Sequence, residues 1–394
     1  MKKLNIGIVG GSIAGCTAAI ELHRAGHNVT VFERSPSALK DRGAGMAAPV
    51  DTINQLIERD LIDNDMSYFQ ISEVPHLSRV VGDETYGRTA WRIPVTMRPF
   101  NWGDLYRNLR RRVPDNIYQY GRKVVGIENR DDQTATITFA DGEQATFDLV
   151  ICADGYRSSG RSVVCPTAAL DYRGYVLWRC VLKEDQLATI DPVANHLARM
   201  SYDEGHAVFY MVPGANGSVE PGERWLNCAM YVRVPEDELP QFLVGANGRQ
   251  NKGSIPPGQM RPEVEARLKQ IAREQLPTYF ADIMAAADNH FAQAIYMVDV
   301  PTYHNGRVCL IGDAGAVAPP YTASGVFKGM NNAIDLTEAL NSDSCDVALA
   351  KWSKAQTALG QRLSALGRQL EQALIWHVPN FGQMSEVDTS YRRV

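Results

Sequence analysis

The chain has 394 residues, of which 45% are hydrophobic and 22% charged, and its net charge is −5. This is the balance of a water-soluble globular protein, too long for one hydrophobic core and expected to divide into two closely packed domains. The acidic balance and the lack of a long basic run argue against nucleic acid as a main partner, and no apolar stretch is long enough to span a bilayer.

Met1-Lys2-Lys3 leads into an apolar strand at 4–9, and Gly-rich turn chemistry follows where a signal peptide would continue. A cytoplasmic, reducing compartment is therefore expected, without membrane association. The cysteines at 16, 152, 165, 180, 228, 309 and 345 form no C-x-x-C pair and are odd in number. Buried free thiols are expected, with no metal site. Residues 14–25 carry a helical apolar pattern ending at Gly26, and 28–33 are β-branched and extended. Strand, helix and strand together make a βαβ unit of dinucleotide-binding length. Helices are predicted at 52–63 and 103–113, and strands at 78–81, 88–94, 174–182, 206–212 and 225–234. The Gly-, Pro- and Asn-rich stretches 215–222 and 246–259 read as loops. From 261 the pattern turns helical, returns to strand at 307–311, and ends in helices at 325–341 and 346–376. The expected fold is mixed α/β, a Rossmann-like cofactor domain with an inserted, mainly antiparallel sheet domain and C-terminal helices. The cofactor domain is assigned 1–75, 101–168 and 261–342, the sheet domain 76–100 and 169–260, and the terminal helices 343–394.

The turn Gly10-Gly11-Ser12-Ile13-Ala14-Gly15 lies between the first strand and helix. Gly10 permits a tight turn, and Gly15 lets the helix approach the sheet. Ser12 is small enough for a pyrophosphate to reach the helix N-terminus, where Ile13 and Ala14 begin a row of unpaired N–H groups that favours an anion. Glu33 closes the second strand, placed to bind ribose hydroxyls, and Arg34 is read as a rim cation near the adenine. Two further motifs sit at strand ends, Cys152-Ala153-Asp154-Gly155 and Leu310-Ile311-Gly312-Asp313. Ligands bind at such ends in open α/β sheets, and a plain NAD-dependent dehydrogenase has no use for this pair.

The three motifs together resemble the Gly-rich, Asp-Gly and Gly-Asp motifs of the single-component FAD-dependent aromatic hydroxylases, and the likeness runs from residue 4 to about 375. The resemblance implies FAD as cofactor, NAD(P)H as co-substrate, and O2 delivered through a flavin C4a-hydroperoxide to an electron-rich aromatic or N-heteroaromatic ring. It implies that Asp154 and Asp313 contact FAD, Asp313 through the ribityl chain, and that the helix opening at Gly325 and Val326 points at the flavin. Arg42, in Arg42-Gly43-Ala44-Gly45-Met46, is a further implied FAD contact. Ala316, Ser324 and Phe327 depart from the general family pattern. Thr322-Ala323-Ser324-Gly325-Val326-Phe327-Lys328, Tyr175-Val176-Leu177-Trp178-Arg179, and Trp102 at a helix start instead resemble the 2,6-dihydroxypyridine 3-hydroxylases.

For catalysis, Pro319, Pro320 and Tyr321 are expected beside the reactive flavin edge. His206 and Tyr210, on one face of a strand, are candidate substrate contacts. The expected partners are a small aromatic or heteroaromatic substrate and O2, with the chain a monomer or homodimer. Other readings stay open: a flavin-dependent halogenase or reductase of the same fold, or a non-catalytic flavin-binding redox protein. His23 and His27 have metal-like spacing but read as a solvated helix end. Arg107, Arg110, Arg111 and Arg112 could receive an NADPH phosphate but read first as a solvated basic face. Trp91-Arg92-Ile93-Pro94 resembles part of a halogenase signature only if its register is forced. Leu363, Leu366, Leu370 and Leu374 are expected to pack in the core or an interface.

Overall fold

The structure is a computed structural model that describes residues 3–39, 45–79, 85–131, 133–203 and 205–376. Its organising element is a six-stranded sheet. Asn5–Val9 lies between Leu149–Cys152 and Asn28–Glu33, parallel to both, and Tyr118–Tyr120 and Val308–Leu310 extend the parallel run on either side. The short strand His304–Asn305 closes one edge antiparallel. The central strands carry continuous apolar runs, as expected for strands covered on both faces: Ile6, Ile8, Leu149, Val150 and Ile151 are all fully buried. The helices Ile13–Arg24 and Gly325–Ser342 pack on one face. A three-stranded antiparallel sheet of Val124–Asn129, Ala135–Phe139 and Gln144–Phe147 covers the other, its Phe139 and Phe147 edge-on to Phe32.

The second layer is a nine-stranded, mainly antiparallel sheet. Its centre is Asp171–Lys183, Trp225–Arg233, Gly205–Val212 and Ala198–Tyr202, in that spatial order. Gly45–Pro49, Ile71–Ser78 and Arg88–Asn101 extend it on one side, and Phe291–Met297 and Ser254–Ile255 on the other. The helices Pro262–Gln275 and Thr278–Ala286 share a buried apolar cluster with this sheet through Leu268, Phe280 and Met284. The chain finishes in the long helix Cys345–Leu374.

Three sequence expectations need correction in detail. Residues 262–297, assigned above to the third part of the cofactor domain, pack on or pair within the nine-stranded sheet. Gly45–Pro49 and Ile71–Ser78, assigned largely to its first part, also pair there. The strands Ala198–Tyr202 and Phe291–Met297 were not foreseen. The physical reason is common to all three: a boundary read from local pattern cannot register cross-strand pairing with a partner far away in sequence. The seven cysteines are free, all buried except the half-buried Cys345. Among the described residues, no helix is long and apolar enough to cross a membrane, and no group of side chains could hold a metal ion.

Close backbone approach under the first helix leaves no room for side chains. Gly10 sits at φ +99°, and a Cβ on Gly15 would stand 1.9 Å from the Gly10 carbonyl oxygen. Gly15→Ala is therefore expected to destabilise the fold by about 1–3 kcal/mol through overpacking. Chemical denaturation monitored by far-UV circular dichroism measures this, and an unchanged midpoint would show that the helix can shift away from the turn.

Candidate active site

A single cavity of about 1440 Å³ separates the two sheets. One end is lined by Ser12, Ile13 and Ala14 from the Gly-rich turn, Ala153 and Gly155 after the strand Leu149–Cys152, and Gly312 and Asp313 after Val308–Leu310. Parallel alignment puts the C-terminal ends of these three strands, and so the loops that follow them, at one rim. Three sequence-distant motifs are thereby made one surface.

The surface is backbone-rich and small in side chain. Gly312 adopts φ +61°, and a Cβ on Gly329 would stand 3.2 Å from the Gly312 Cα and 3.1 Å from the Ala14 Cβ. Arg161, in the short helix Ser159–Val164, joins the loops. Its guanidinium donates to the carbonyls of Tyr156 at 2.7 Å, Asp313 at 2.7 Å and Ala314 at 2.9 Å, and the residue is 5% exposed. Lys328, 1% exposed, donates from Nζ to the carbonyls of Gly312 at 2.9 Å and Ala316, and lies 3.5 Å from Asp313 Oδ1. Burial holds the Lys328 amine below its usual range, opposed by the Asp313 carboxylate. Asp313 keeps a half-exposed carboxylate on the cavity side. The helix Gly325–Ser342 begins at the cavity wall with Ser324, Gly325 and Val326, so the positive end of its dipole faces the same space. Ala323 is left-handed at φ +53°, a conformation that costs a non-glycine residue energy and recurs where a loop is shaped around a site.

Other cofactor candidates do not line the cavity. Gly10 and Gly15 shape the turn from behind. The Glu33 carboxylate is 5% exposed and accepts from the N–H groups of Gly11 at 3.0 Å and Ser35 at 2.8 Å, which pins the turn and leaves lone pairs for further donors. Arg34 is exposed beside it. Asp154 Oδ2 accepts from the Ser159 N–H at 2.7 Å, whereas Oδ1 is buried without a hydrogen-bond partner, and burial raises the carboxyl above its ordinary value. Arg42 lies outside the described residues, while its neighbours Gly45 and Met46 line the cavity. The site fits an FAD: glycine-cleared backbone at a helix N-terminus suits a pyrophosphate, the orphaned Asp154 oxygen and the open Asp313 carboxylate suit hydroxyl donors, and the length of the cavity leaves room for a ring system beyond.

The opposite wall comes from the large sheet. His206 and Tyr210, two turns of the pleat apart on Gly205–Val212, line the cavity, as do Arg179, Arg199, Tyr231 and His76 from neighbouring strands. His206 stacks on Tyr231 with ring centres 4.3 Å apart and stands edge-on to Tyr321 at 5.8 Å. Burial pushes the Tyr210 phenol up to about 12, against the pull of Arg179. Pro320 and Tyr321 reach the cavity from the flavin-end loop, whereas Pro319 is buried beneath them against Gly367. Sequence reading gave Arg179 and Lys328 only as parts of motifs and missed Arg199 and Glu371. The buried stripe of the last helix runs through Gly360, Leu363, Ser364, Gly367, Glu371 and Leu374, while Leu370 lines the cavity. The small residues beside Glu371 were the available signal.

The decoys resolve simply. Arg107, Arg110, Arg111 and Arg112 are each paired with a carboxylate among Asp104, Asp115, Asp63 and Asp60, so this basic face is already neutralised. Trp91 and Ile93 lie half-exposed on Arg88–Asn101, and Trp91 stacks on His76 with ring centres 4.5 Å apart.

The family models agree with this geometry: an NAD(P)-binding Rossmann-like domain matches residues 8–38, and an FAD binding domain-like model matches 172–297. The chain is 30% identical over 364 residues to the 2,6-dihydroxypyridine 3-monooxygenase of Paenarthrobacter nicotinovorans, covering 90% of this chain and 87% of the relative. It is 24% identical to the 6-hydroxynicotinate 3-monooxygenase of Bordetella bronchiseptica, over 85% of this chain and 82% of that one. The solved structure of 2,6-dihydroxypyridine-3-hydroxylase from Arthrobacter nicotinovorans superposes with a TM-score of 0.88 at 24% identity, covering 100% of this chain and 96% of that one. Klebsiella pneumoniae HpxO complexed with FAD and uric acid gives a TM-score of 0.71 at 19% identity, covering 92% and 86%. The chain therefore belongs to the single-component FAD-dependent aromatic hydroxylases. It is an NAD(P)H-dependent flavoprotein monooxygenase that hydroxylates an aromatic or heteroaromatic ring, rather than a halogenase, a reductase or a non-catalytic flavin carrier.

Two outcomes follow for the site. Arg161→Lys keeps the charge but loses the planar fork that reaches three carbonyls. Each carbonyl left unpaired costs about 1–3 kcal/mol, so FAD affinity in a fluorescence titration is expected to fall at least about tenfold. Wild-type affinity would show that the two loops hold together without the fork. His76 offers a pH test. Burial, aided by the Arg199 charge, lowers its imidazole from 6.5 to about 4. The unfolded chain then binds more protons across that window, so stability is full above it and falls as the pH drops from 6.5 toward 4. His76→Gln should flatten this slope in denaturation experiments, and an unaltered slope would place the proton uptake elsewhere.

Proposed function

We propose that the ring hydroxylated is a small, electron-rich N-heteroaromatic carrying a ring hydroxyl, of the hydroxypyridine class. The observation that carries the reading is the one continuous cavity whose cofactor end holds Asp313 and Gly325 and whose sheet end holds His206, Tyr210 and Arg199. Arg199 makes no ion pair with a described carboxylate, and its Nε is buried without a partner. Among the described residues, Arg179 donates to the Gly45 carbonyl and Asn227 Oδ1, both at 3.1 Å. A wall with two guanidiniums and aromatic hydroxyls favours an oxygen-bearing, anionic or readily ionised ring over a neutral hydrocarbon. The 30% identity to a dihydroxypyridine monooxygenase supports the same class.

In this reading Ser12, Ile13 and Ala14 receive the pyrophosphate, Glu33 and Arg34 the adenosine end, and Asp154 and Asp313 the remaining sugar and ribityl hydroxyls. Gly325 and Val326 present the positive helix end to the flavin. A bound FAD would supply the redox chemistry that activates O2 for transfer to the ring. The protein's part is to hold the ring against the packed cluster of Tyr321, His206 and Tyr231, to keep water out, and to draw the hydroxyl proton away so that electron density rises at the carbon attacked. The unpaired thiols fit a reducing, cytoplasmic compartment.

The test is a substrate panel with FAD-loaded protein. 2,6-Dihydroxypyridine and other hydroxypyridines are expected to accelerate NAD(P)H oxidation and to yield a product heavier by one oxygen. If simple phenolic acids do both and hydroxypyridines neither, the heteroaromatic class is wrong and only the family activity stands.

A further inference from the structure

The strand Arg88–Asn101 alternates in character along its length. Trp91, Ile93, Val95 and Met97 line the cavity, every second residue and all apolar. Residues between them are engaged elsewhere: Arg92 pairs with Glu73, and the Arg98 guanidinium lies 4.1 Å from the centre of the Tyr68 ring. An apolar face of this kind ordinarily packs against a core. Here it fronts open space, with Trp91 48% and Ile93 42% exposed. The neighbouring strand widens the strip, Val74 opposite Ile93 and His76 opposite Trp91. Its inner end starts at the wall of the site, where Val95 and Met97 pack in one apolar cluster with Val74, Leu197 and Tyr210. From Met97 out to Trp91 the strand covers about 20 Å.

We infer that this strip is a subsite for an apolar arm, an alkyl or aryl substituent carried by the substrate ring. The inference rests on the proposed reading of the cavity as the site of a hydroxylated heteroaromatic ring, and extends it: the ring is small, but the molecule that bears it is not. Charge falls off across the wall from strand to strand. Arg199 sits on the strand paired with that of His206 and Tyr210. The next strand carries His76 and Val74, and burial lowers the His76 imidazole to about 4, so it is neutral at pH 7. The strand after that presents the apolar strip, Trp91 stacked on His76. An oxygen-bearing ring gains from the charged part of the wall, but a bare ring leaves the strip in water. An arm laid along it removes apolar surface of both partners from water, worth about threefold to fourfold in affinity for each methylene buried.

Continuity with the ring site favours a part of the substrate over a second protein as the occupant. A protein partner could reach Trp91 and Ile93 from outside, but Val95 and Met97 are half-buried in the cavity wall beside Tyr210. A passage for entering substrate is the nearer rival. A passage speeds entry and exit alike and leaves equilibrium affinity as it was. A subsite keeps its contacts in the bound state, so affinity grows with the arm that fills it.

The experiment titrates FAD-loaded protein, without NAD(P)H, with 2,6-dihydroxypyridine and with its 3-alkyl and 4-alkyl derivatives from methyl to hexyl. The dissociation constant is read from the change in flavin absorbance. In at least one of the two series affinity should rise about threefold to fourfold per methylene. Ile93→Asn sets a polar group in the strip and should cut the ratio of hexyl to parent affinity at least about threefold. Trp91→Ser makes the same test if the first variant is not flavin-loaded. Affinity that stays flat or falls with arm length in both series overturns the subsite and leaves a passage or a protein-facing patch. A gain that these substitutions leave intact also overturns it, because the arm then lies elsewhere. If the parent compound binds and is hydroxylated while the arms add nothing, the ring reading stands without the subsite. If neither the parent nor any armed compound binds, the ring reading falls and the subsite with it.

Discussion

The structure depends on one steric condition: beneath the cavity, three backbones come closer than side chains allow. Gly312 and Gly329 face each other and Ala14, and Gly10 backs onto the Ala153 carbonyl. Because nothing larger than a methyl group intervenes, the first helix and the helix Gly325–Ser342 can seat side by side over the sheet, and their N-terminal ends open on one rim. Arg161 and Lys328 then take the carbonyls that this crowding turns inward, which would otherwise be buried unpaired. The closeness of the backbones and the burial of two cations are two aspects of one arrangement.

The two layers divide the chemistry. The cofactor end is built from loop backbone at strand termini, where small residues and helix ends recognise phosphate and hydroxyl groups without long side chains. The substrate end is built from strand side chains projecting from a sheet, where alternate residues share a face and position is set by pairing register. Arg199 pairs with His76, and Leu177 pairs with Tyr231, so cavity groups from separate strands are held at fixed spacings. A rigid sheet wall suits a reaction that requires one ring carbon at one place.

Much of the cofactor end was legible in the sequence because its physics is local. A glycine at a strand–helix turn, an aspartate at a strand end and a helix opening with Gly325 each state their conformation within a few residues, and the structure brings the three motifs to one cavity. The substrate end was harder. His206 and Tyr210 could be placed on one face by alternation, but Arg199 belongs to a strand that pairs with Gly205–Val212 across a short turn and with Ile71–Ser78 far away, and neither pairing is written in local pattern. Glu371 was hidden by a different effect. The leucines of the last helix suggested an apolar stripe, yet the buried face is offset by one residue and includes Gly360, Ser364 and Gly367, whose small size admits the loop carrying Pro319. Hydrophobicity marks a buried face only when that face is apolar.

The discontinuity of the parallel sheet governs how the chain is made. The strand Leu149–Cys152 waits for Val308–Leu310 as its second neighbour, and the rim is complete only when Gly325–Ser342 has been added. A chain leaving the ribosome therefore exposes one flank of its central sheet throughout synthesis of the whole intervening layer, and an unpaired flank of apolar strand invites pairing with other chains. FAD cannot aid folding early, because no nascent fragment ending before Asp313 holds all three loops. The cofactor is a late ligand by construction, and termination between Cys152 and Val308 leaves the flank of the central sheet open and the cofactor rim incomplete.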